Sequence, residues 1–402
     1  MKKIRGLTGP MGPIVLSCAL AACGPPTNTQ DAGGDVAGDT VTPNDGPVGP
    51  SFAVPFVPGI SPMDNAPRVI QVTASSETLG QEGFAYTATP AEGDIVFVDG
   101  WEVRFTSILL SVSGVRLDLP AGNAADQSMV GAAVAREPRT FAIDLKKMGN
   151  FPGAGGGTET SIPLFAFTQT GAGAPLDPMV RYAFSFDVVN ASANATNVNL
   201  TQAQFADYNE MIAKQWSTLV SGTATYRGRA PEPMSAAASY PQSVGFRFGF
   251  SAPASYINCN NPDNGMDSAP GVAPRTTGPV RAQVTFHTDH FFWLRLNVED
   301  PPLHFDQFAA RARMMGANAE VSLEDLQGVA PTNLMDRMNR PIVDRGEQTM
   351  GYMRRTERLA GEPNGATGVD DMRTFVAFAA RGMGHMNADG LCAIRPLGAL
   401  RP

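Results

Sequence analysis

Residues that do chemistry are scarce in this chain. It has four cysteines and four histidines in 402 residues, and only 17% of its positions are charged. Basic residues are in the minority, with 30 Lys and Arg against 38 Asp and Glu and a net charge of −8. That disfavours nucleic acid or an anionic lipid surface as partner, because clustered Lys and Arg hold both. No apolar run reaches the ~20 residues that a membrane-spanning helix needs. There is no Gly-rich phosphate loop, no H-E-x-x-H and no G-x-S-x-G. Asp289 beside His290 is placed to orient a base, but no nucleophile accompanies them. The chain therefore reads as a binding protein rather than an enzyme.

What is present begins with an address. Lys2, Lys3 and Arg5 precede a short apolar run over 14–19, and Leu20-Ala21-Ala22-Cys23 closes it. A basic start, a short apolar stretch and small residues before a cysteine form a lipoprotein signal. The expectation is cleavage of residues 1–22, a lipid on Cys23, and a mature protein held at a membrane surface. Gly24, rather than Asp, after the cysteine implies an outer-membrane destination. Residues 24–50 contain no aromatic, Leu, Ile, Lys or Arg, and their only charges are Asp31, Asp35, Asp39 and Asp45. Such a segment buries too little apolar surface to order itself, so 23–60 is read as a tether.

The cysteine count then simplifies. Cys18 leaves with the signal and Cys23 carries the lipid, which leaves Cys259 and Cys392 in an oxidising compartment. A disulfide between them is expected there; two thiolate metal ligands are the alternative.

With 43% hydrophobic residues and 22 Phe, the remainder is rich enough to build a core. From about residue 66 short period-two runs alternate with Gly, Pro and Asn. Strands are predicted at 68–73, 94–98, 101–105, 108–119, 140–145, 162–167, 182–189, 222–226, 244–250 and 280–287. A turn at Asp99-Gly100 predicts a hairpin between 94–98 and 101–105. One helix interrupts at 200–214, opened by Thr201. Helical spacing returns at 304–313, 322–327, 332–359 (broken by Pro341) and 369–381. The fold class is mainly β: an antiparallel β-sandwich over 61–300, with C-terminal helices over 301–402 packed on it and joined to it by the disulfide.

All four histidines lie late: His287, His290, His304 and His385. His287 and His290 are three apart, so on an unbroken strand they face opposite sides. If the strand ends near Thr288 they converge, with Asp289 as a further ligand or an orienting group. Met383 and Met386 flank His385, and that thioether set favours copper, whereas imidazole and carboxylate suit copper or zinc. The expected metal set is His287, Asp289, His290, His385, Met383 and Met386. His304 follows Pro301-Pro302 and is expected to be an exposed bystander. Residues 314–325 have the frame of an EF-hand loop, but Met314 and Gly316 occupy positions where calcium needs oxygen, so the loop is read as structural and calcium is set aside.

The strand Asp99 to Phe105 (D-G-W-x-V-x-F), Gly222 to Ala224 (G-T-A), His287 to Phe292 (H-x-D-H-x-F), and Phe305-Asp306 with Ala309 (F-D-x-x-A) resemble an uncharacterised family of large cell-envelope lipoproteins from predatory and soil-type bacteria. The likeness covers 94–119, 180–200, 219–259 and 280–326 and implies an envelope location without an assigned activity. The chain is more loosely similar to periplasmic copper-binding sandwich proteins that accompany di-haem peroxidase-like partners, whose full cysteine set it lacks. Two functions follow as expectations. One is a tethered lipoprotein binding copper or zinc; the other is a metal-free surface module presenting loops to an envelope protein or glycan.

Overall fold

A computed structural model describes residues 66–91, 94–122, 126–228, 240–262, 269–293, 303–330 and 371–401. The signal peptide, Cys23, the tether and the helix expected over 332–359 lie outside the described residues. Among the described residues no helix is long and apolar enough to cross a membrane.

The fold is mainly β and sandwich-like. Its larger sheet is organised by one strand of 20 residues, Trp101–Pro120. Trp101, Val103 and Phe105 are buried on one face while Arg104 is exposed on the other, as period-two alternation requires. From Ile108 to Val112 every residue is buried, so this stretch is covered on both faces. The first half of the strand pairs with Thr218–Tyr226. The second half pairs with Ala183–Val188, Phe141–Asp144 and Val130–Arg136.

The smaller sheet has the order Gly384–Met386, Val280–Phe286, Ile70–Ser75, Thr160–Phe167, Phe151–Pro152. Its apolar face (Ile70, Val72, Ala74, Ala282, Val284 and Phe286) belongs to the same core as the larger sheet. Phe186 and Tyr256 of the larger sheet stack at 4.7 Å, and Phe186 meets Phe286 of the smaller one edge-on at 6.0 Å. A Cβ on Gly384 would lie 2.4 Å from the Tyr256 ring, so only glycine lets the sheets approach here. The opposite face of the small sheet is polar yet buried. The segment rich in Gly at 153–157 covers it: Ala154 N donates to Gln283 Oε1 (2.9 Å) and Gln283 Nε2 donates to Glu159 Oε1 (2.7 Å). These bonds satisfy buried groups that would otherwise each cost about 1–3 kcal/mol.

Four expectations need correction. The sandwich is not purely antiparallel, because the sheets are mixed. Ile70–Ser75 pairs parallel with Val280–Phe286, Ser243–Phe250 with Asn318–Ser322, and Phe141–Asp144 with Thr196–Asn197. Alternation reports which face is buried and is blind to strand direction. The hairpin at Asp99-Gly100 does not form either. The turn is there, with Gly100 at φ +90, but Phe97 bridges to Leu303 instead of pairing back on the long strand.

The C-terminal stretch is only partly helical. The helix Met372–Ala380 is present, capped by Asp371 accepting from Thr374 N (2.9 Å), and every one of its residues except Arg373 and Thr374 is buried. The region expected as helix over 304–313 is a four-residue helix, Asp306–Ala309, followed by strand Arg313–Met315. That strand and Asn318–Ser322 form a hairpin within the frame that resembled an EF-hand. Gly384–Met386 and Ala393–Pro396 add further strands, one to each sheet. The described residues after 300 are therefore woven into the sandwich rather than appended to it. The interrupting helix matches its expectation closely: a 3-10 turn Gln202–Gln204 with a Thr201–Gln204 capping box leads into Phe205–Lys214.

Candidate metal centre

The strand Val280–Phe286 stops because the chain next buries two aromatics. Phe291 and Phe292 are 1% and 0% exposed, and Phe292 packs edge-on against Phe84, Phe97 and Phe246. To reach that pocket the backbone bends at Thr288 into a 3-10 turn, Thr288–Phe292. The bend is the one the histidine spacing required. It swings His290 round to the side on which His287 lies, and their ring centroids are 6.0 Å apart.

His385 arrives from the neighbouring strand. It stands directly opposite Thr285, and His287 lies two residues further along on the same face. The imidazoles of His287 and His385 stack at 4.0 Å with 9° between planes. One nitrogen from each of His287, His290 and His385 falls within 4.8 Å of the others. Bonds of about 2.0–2.1 Å to one tetrahedral ion place nitrogens about 3.3 Å apart, so binding requires a contraction of at most about 1.5 Å and some opening of the parallel stack.

The surroundings favour lone pairs over protons at two of the rings. Neither nitrogen of His385 makes a hydrogen bond of good geometry, although the residue is only 7% exposed and the backbone of Asp389 and Gly382 lies in weak contact with the ring. Burial, then the neighbouring His287 and His290, hold its pKa well below the ordinary histidine value, with the backbone of Asp389 and Gly382 opposing. His290 Nδ1 lies 3.1 Å from Ala379 O, and since a carbonyl only accepts, Nδ1 carries the hydrogen and Nε2 the lone pair. Trp293 stacks on this ring at 3.6 Å.

His287 differs. Burial lowers its pKa, but Glu77, Asp289 and Asp389 outweigh burial and the net shift is upward. Glu77 Oε1 is 3.5 Å and Asp389 Oδ1 3.8 Å from His287 Nε2. These three form a second cluster of potential ligands sharing His287.

Not every expected ligand joins. Asp289 is not in either cluster: its Oδ2 accepts from Trp293 Nε1 at 2.7 Å, which places it behind the ring that stacks on His290. Burial raises its pKa against the opposing pull of His287 and the Trp293 indole. Met383 and Met386 lie in the apolar core. Alternation along Gly384–Met386 sends the Met386 thioether to the face opposite His385, so sequence adjacency misled. Cys259 and Cys392 are joined as a disulfide across 133 positions, which removes the thiolate alternative. His304 is not an exposed bystander. Its side chain is 13% exposed and Nδ1 sits 3.8 Å from Asp99 Oδ2, because the Leu303 bridge to Phe97 tucks this segment in.

Glu77 and Asp389 were not expected from the sequence. For Asp389 a signal existed: Asn387-Ala388-Asp389-Gly390 is a turn-forming run four residues past His385. Glu77 offered none, being more than 200 residues from the histidines it meets.

No family model matches the chain, and no curated protein or solved structure is significantly similar to it. The arrangement itself must carry the argument: three imidazoles form one group able to hold a metal ion, and two carboxylates form a second with His287, the residue the two groups share.

Proposed function

We propose that the chain is an envelope lipoprotein, anchored through Cys23 in the outer membrane, whose sandwich binds one transition-metal ion through His287, His290 and His385. The observation that carries this reading is His385. A histidine at 7% exposure whose ring nitrogens make no well-formed hydrogen bond, only weak backbone contacts at Asp389 and Gly382, is a costly arrangement unless something binds it, since burying poorly bonded polar groups disfavours folding. With Met386 on the opposite face and Met383 packed into the apolar core, the donor set is imidazole and carboxylate, which favours Zn(II) or Cu(II) over Cu(I). The lipobox and the tether at 24–50 support the anchored location, and the acidic balance argues against nucleic acid. An envelope protein remains the partner class to which such a carrier would present its ion.

The test is metal analysis of protein purified without a histidine tag. The wild type should carry or take up about one equivalent of zinc or copper, and the double variant His287→Ala/His290→Ala should not. Equal affinity in both proteins would favour the metal-free module that presents loops to an envelope protein or glycan.

A further inference from the structure

The carboxylates beside His287 are held in place at a conformational cost. Among the described residues six non-glycine positions have positive φ, and three of them carry or directly precede these carboxylates: Glu77 (φ 58), Asn387 (φ 49) and Ala388 (φ 66). Left-handed backbone is strained at a residue with a Cβ, and Ala388 has no polar side chain to offset it. Both turns are fastened beside the histidines. Glu77 N donates to Ser75 Oγ (2.9 Å), and Ser75 faces Thr285 in the parallel pairing. Ala388 N donates to Thr285 Oγ1 (3.1 Å), while Gln283 N donates to Asn387 Oδ1 (2.8 Å). Two turns more than 300 residues apart are thus strained and anchored on the ends of two paired strands, which brings Glu77 and Asp389 beside His287.

Exposure runs in one direction across the cluster. His290 and His385 are 5% and 7% exposed, the Glu77 side chain 22%, and that of Asp389 88%. The imidazole side of the site is closed by protein and the Asp389 side opens to solvent.

We infer that Glu77 is a fourth protein ligand and that the centre keeps one exchangeable position, facing solvent past Asp389, which takes water or a small anion. The inference rests on the metal reading above. Four protein ligands alone would close a tetrahedron, so an exchangeable position here makes the centre five-coordinate, an expansion that open zinc sites also reach. Three neutral imidazoles and one carboxylate leave a divalent ion with net positive charge, which favours a single anionic donor. Asp389 stands where it can accept a hydrogen bond from bound water and repel an anion that displaces it.

Cobalt(II), which reports coordination through its visible absorption, tests this on the mature chain. Saturable change of the cobalt spectrum on adding sodium azide is expected in the wild type. Asp389→Asn should tighten azide binding severalfold. Glu77→Gln, with unchanged circular dichroism, should weaken cobalt at least about tenfold and alter the azide-free spectrum. Azide without effect on the wild-type spectrum overturns the open position. Wild-type cobalt affinity and spectrum in Glu77→Gln overturn the fourth ligand. If His385→Ala abolishes cobalt uptake in that same series, the three-histidine centre survives and only the present inference falls. No cobalt uptake by the wild type would sink both.

Discussion

Removing the disulfide makes the sharpest test of how this fold is held together. The bond joins positions 133 apart, and loop-closure entropy for a loop of that size gives about 5 kcal/mol of stabilisation, all of it through the unfolded chain. Native domains have about 5–15 kcal/mol in total, so the loss would be a large share. The native state gives no reason for collapse. Strand Ala254–Ile257 pairs in register with Ala393–Pro396, and Asn260 N donates to Leu391 O at 2.9 Å, so both ends stay in place without the bond. Cys259 is fully buried, and losing its sulfur to alanine adds about 1 kcal/mol. The double variant Cys259→Ala/Cys392→Ala should therefore keep the wild-type circular dichroism spectrum. Its urea midpoint should fall by the equivalent of about 4–6 kcal/mol, with a steeper denaturant dependence because the unlinked chain exposes more surface. A loss of only about 1 kcal/mol with an unchanged slope would refute the argument, since that is the cavity term alone.

Two further outcomes are expected. Burial, followed by the charge of Asp306, raises the Asp99 pKa to about 8 against the opposing N–H groups of Asp306 and Phe305. The folded state therefore holds a proton that the unfolded chain, with Asp near 3.9, releases. This contribution is complete below about pH 4 and is lost as pH rises through about 8, so stability should decline over that window and Asp99→Asn should flatten the decline. Urea midpoints at pH 5 and 8.5 measure it, and equal slopes in both proteins would count against the buried proton. Replacing Cys23 with Ser should release the protein from the membrane fraction. Recovery of the wild type solely from inner membrane would contradict the sorting read from Gly24.

What the sequence made legible was face and burial; what it hid was distance. Trp101, Val103 and Phe105 could be placed on one buried face because alternation is local, and the bend at Thr288 could be set as the condition for a shared site because residues three apart on a strand face opposite sides. The parallel partner of Ile70–Ser75 could not be named, since nothing near residue 70 speaks of residue 280. The same limit hid Glu77. Met386 was misplaced for the opposite reason: a neighbour in sequence was taken for a neighbour in space. The motif residues tell a related story. Asp99 Oδ2 accepts from Phe305 N and Asp306 N, and Trp101 Nε1 donates to Asp306 Oδ1 at 2.8 Å. Two short motifs about 200 residues apart are the halves of one buried clasp.

The parallel pairing of Ile70–Ser75 with Val280–Phe286 also sets an order of events. Synthesis delivers residue 70 early, yet that strand waits through more than 200 residues for its partner, and the strand bearing His385 comes about 100 later still. Long-range parallel pairing is slow to nucleate because loop closure precedes any reward. No N-terminal fragment contains the centre, and truncated or half-assembled chains have no place to put an ion. Capture of a metal would then act as a certificate of completion, available only to molecules in which Ile70–Ser75 and Gly384–Met386 have both joined Val280–Phe286.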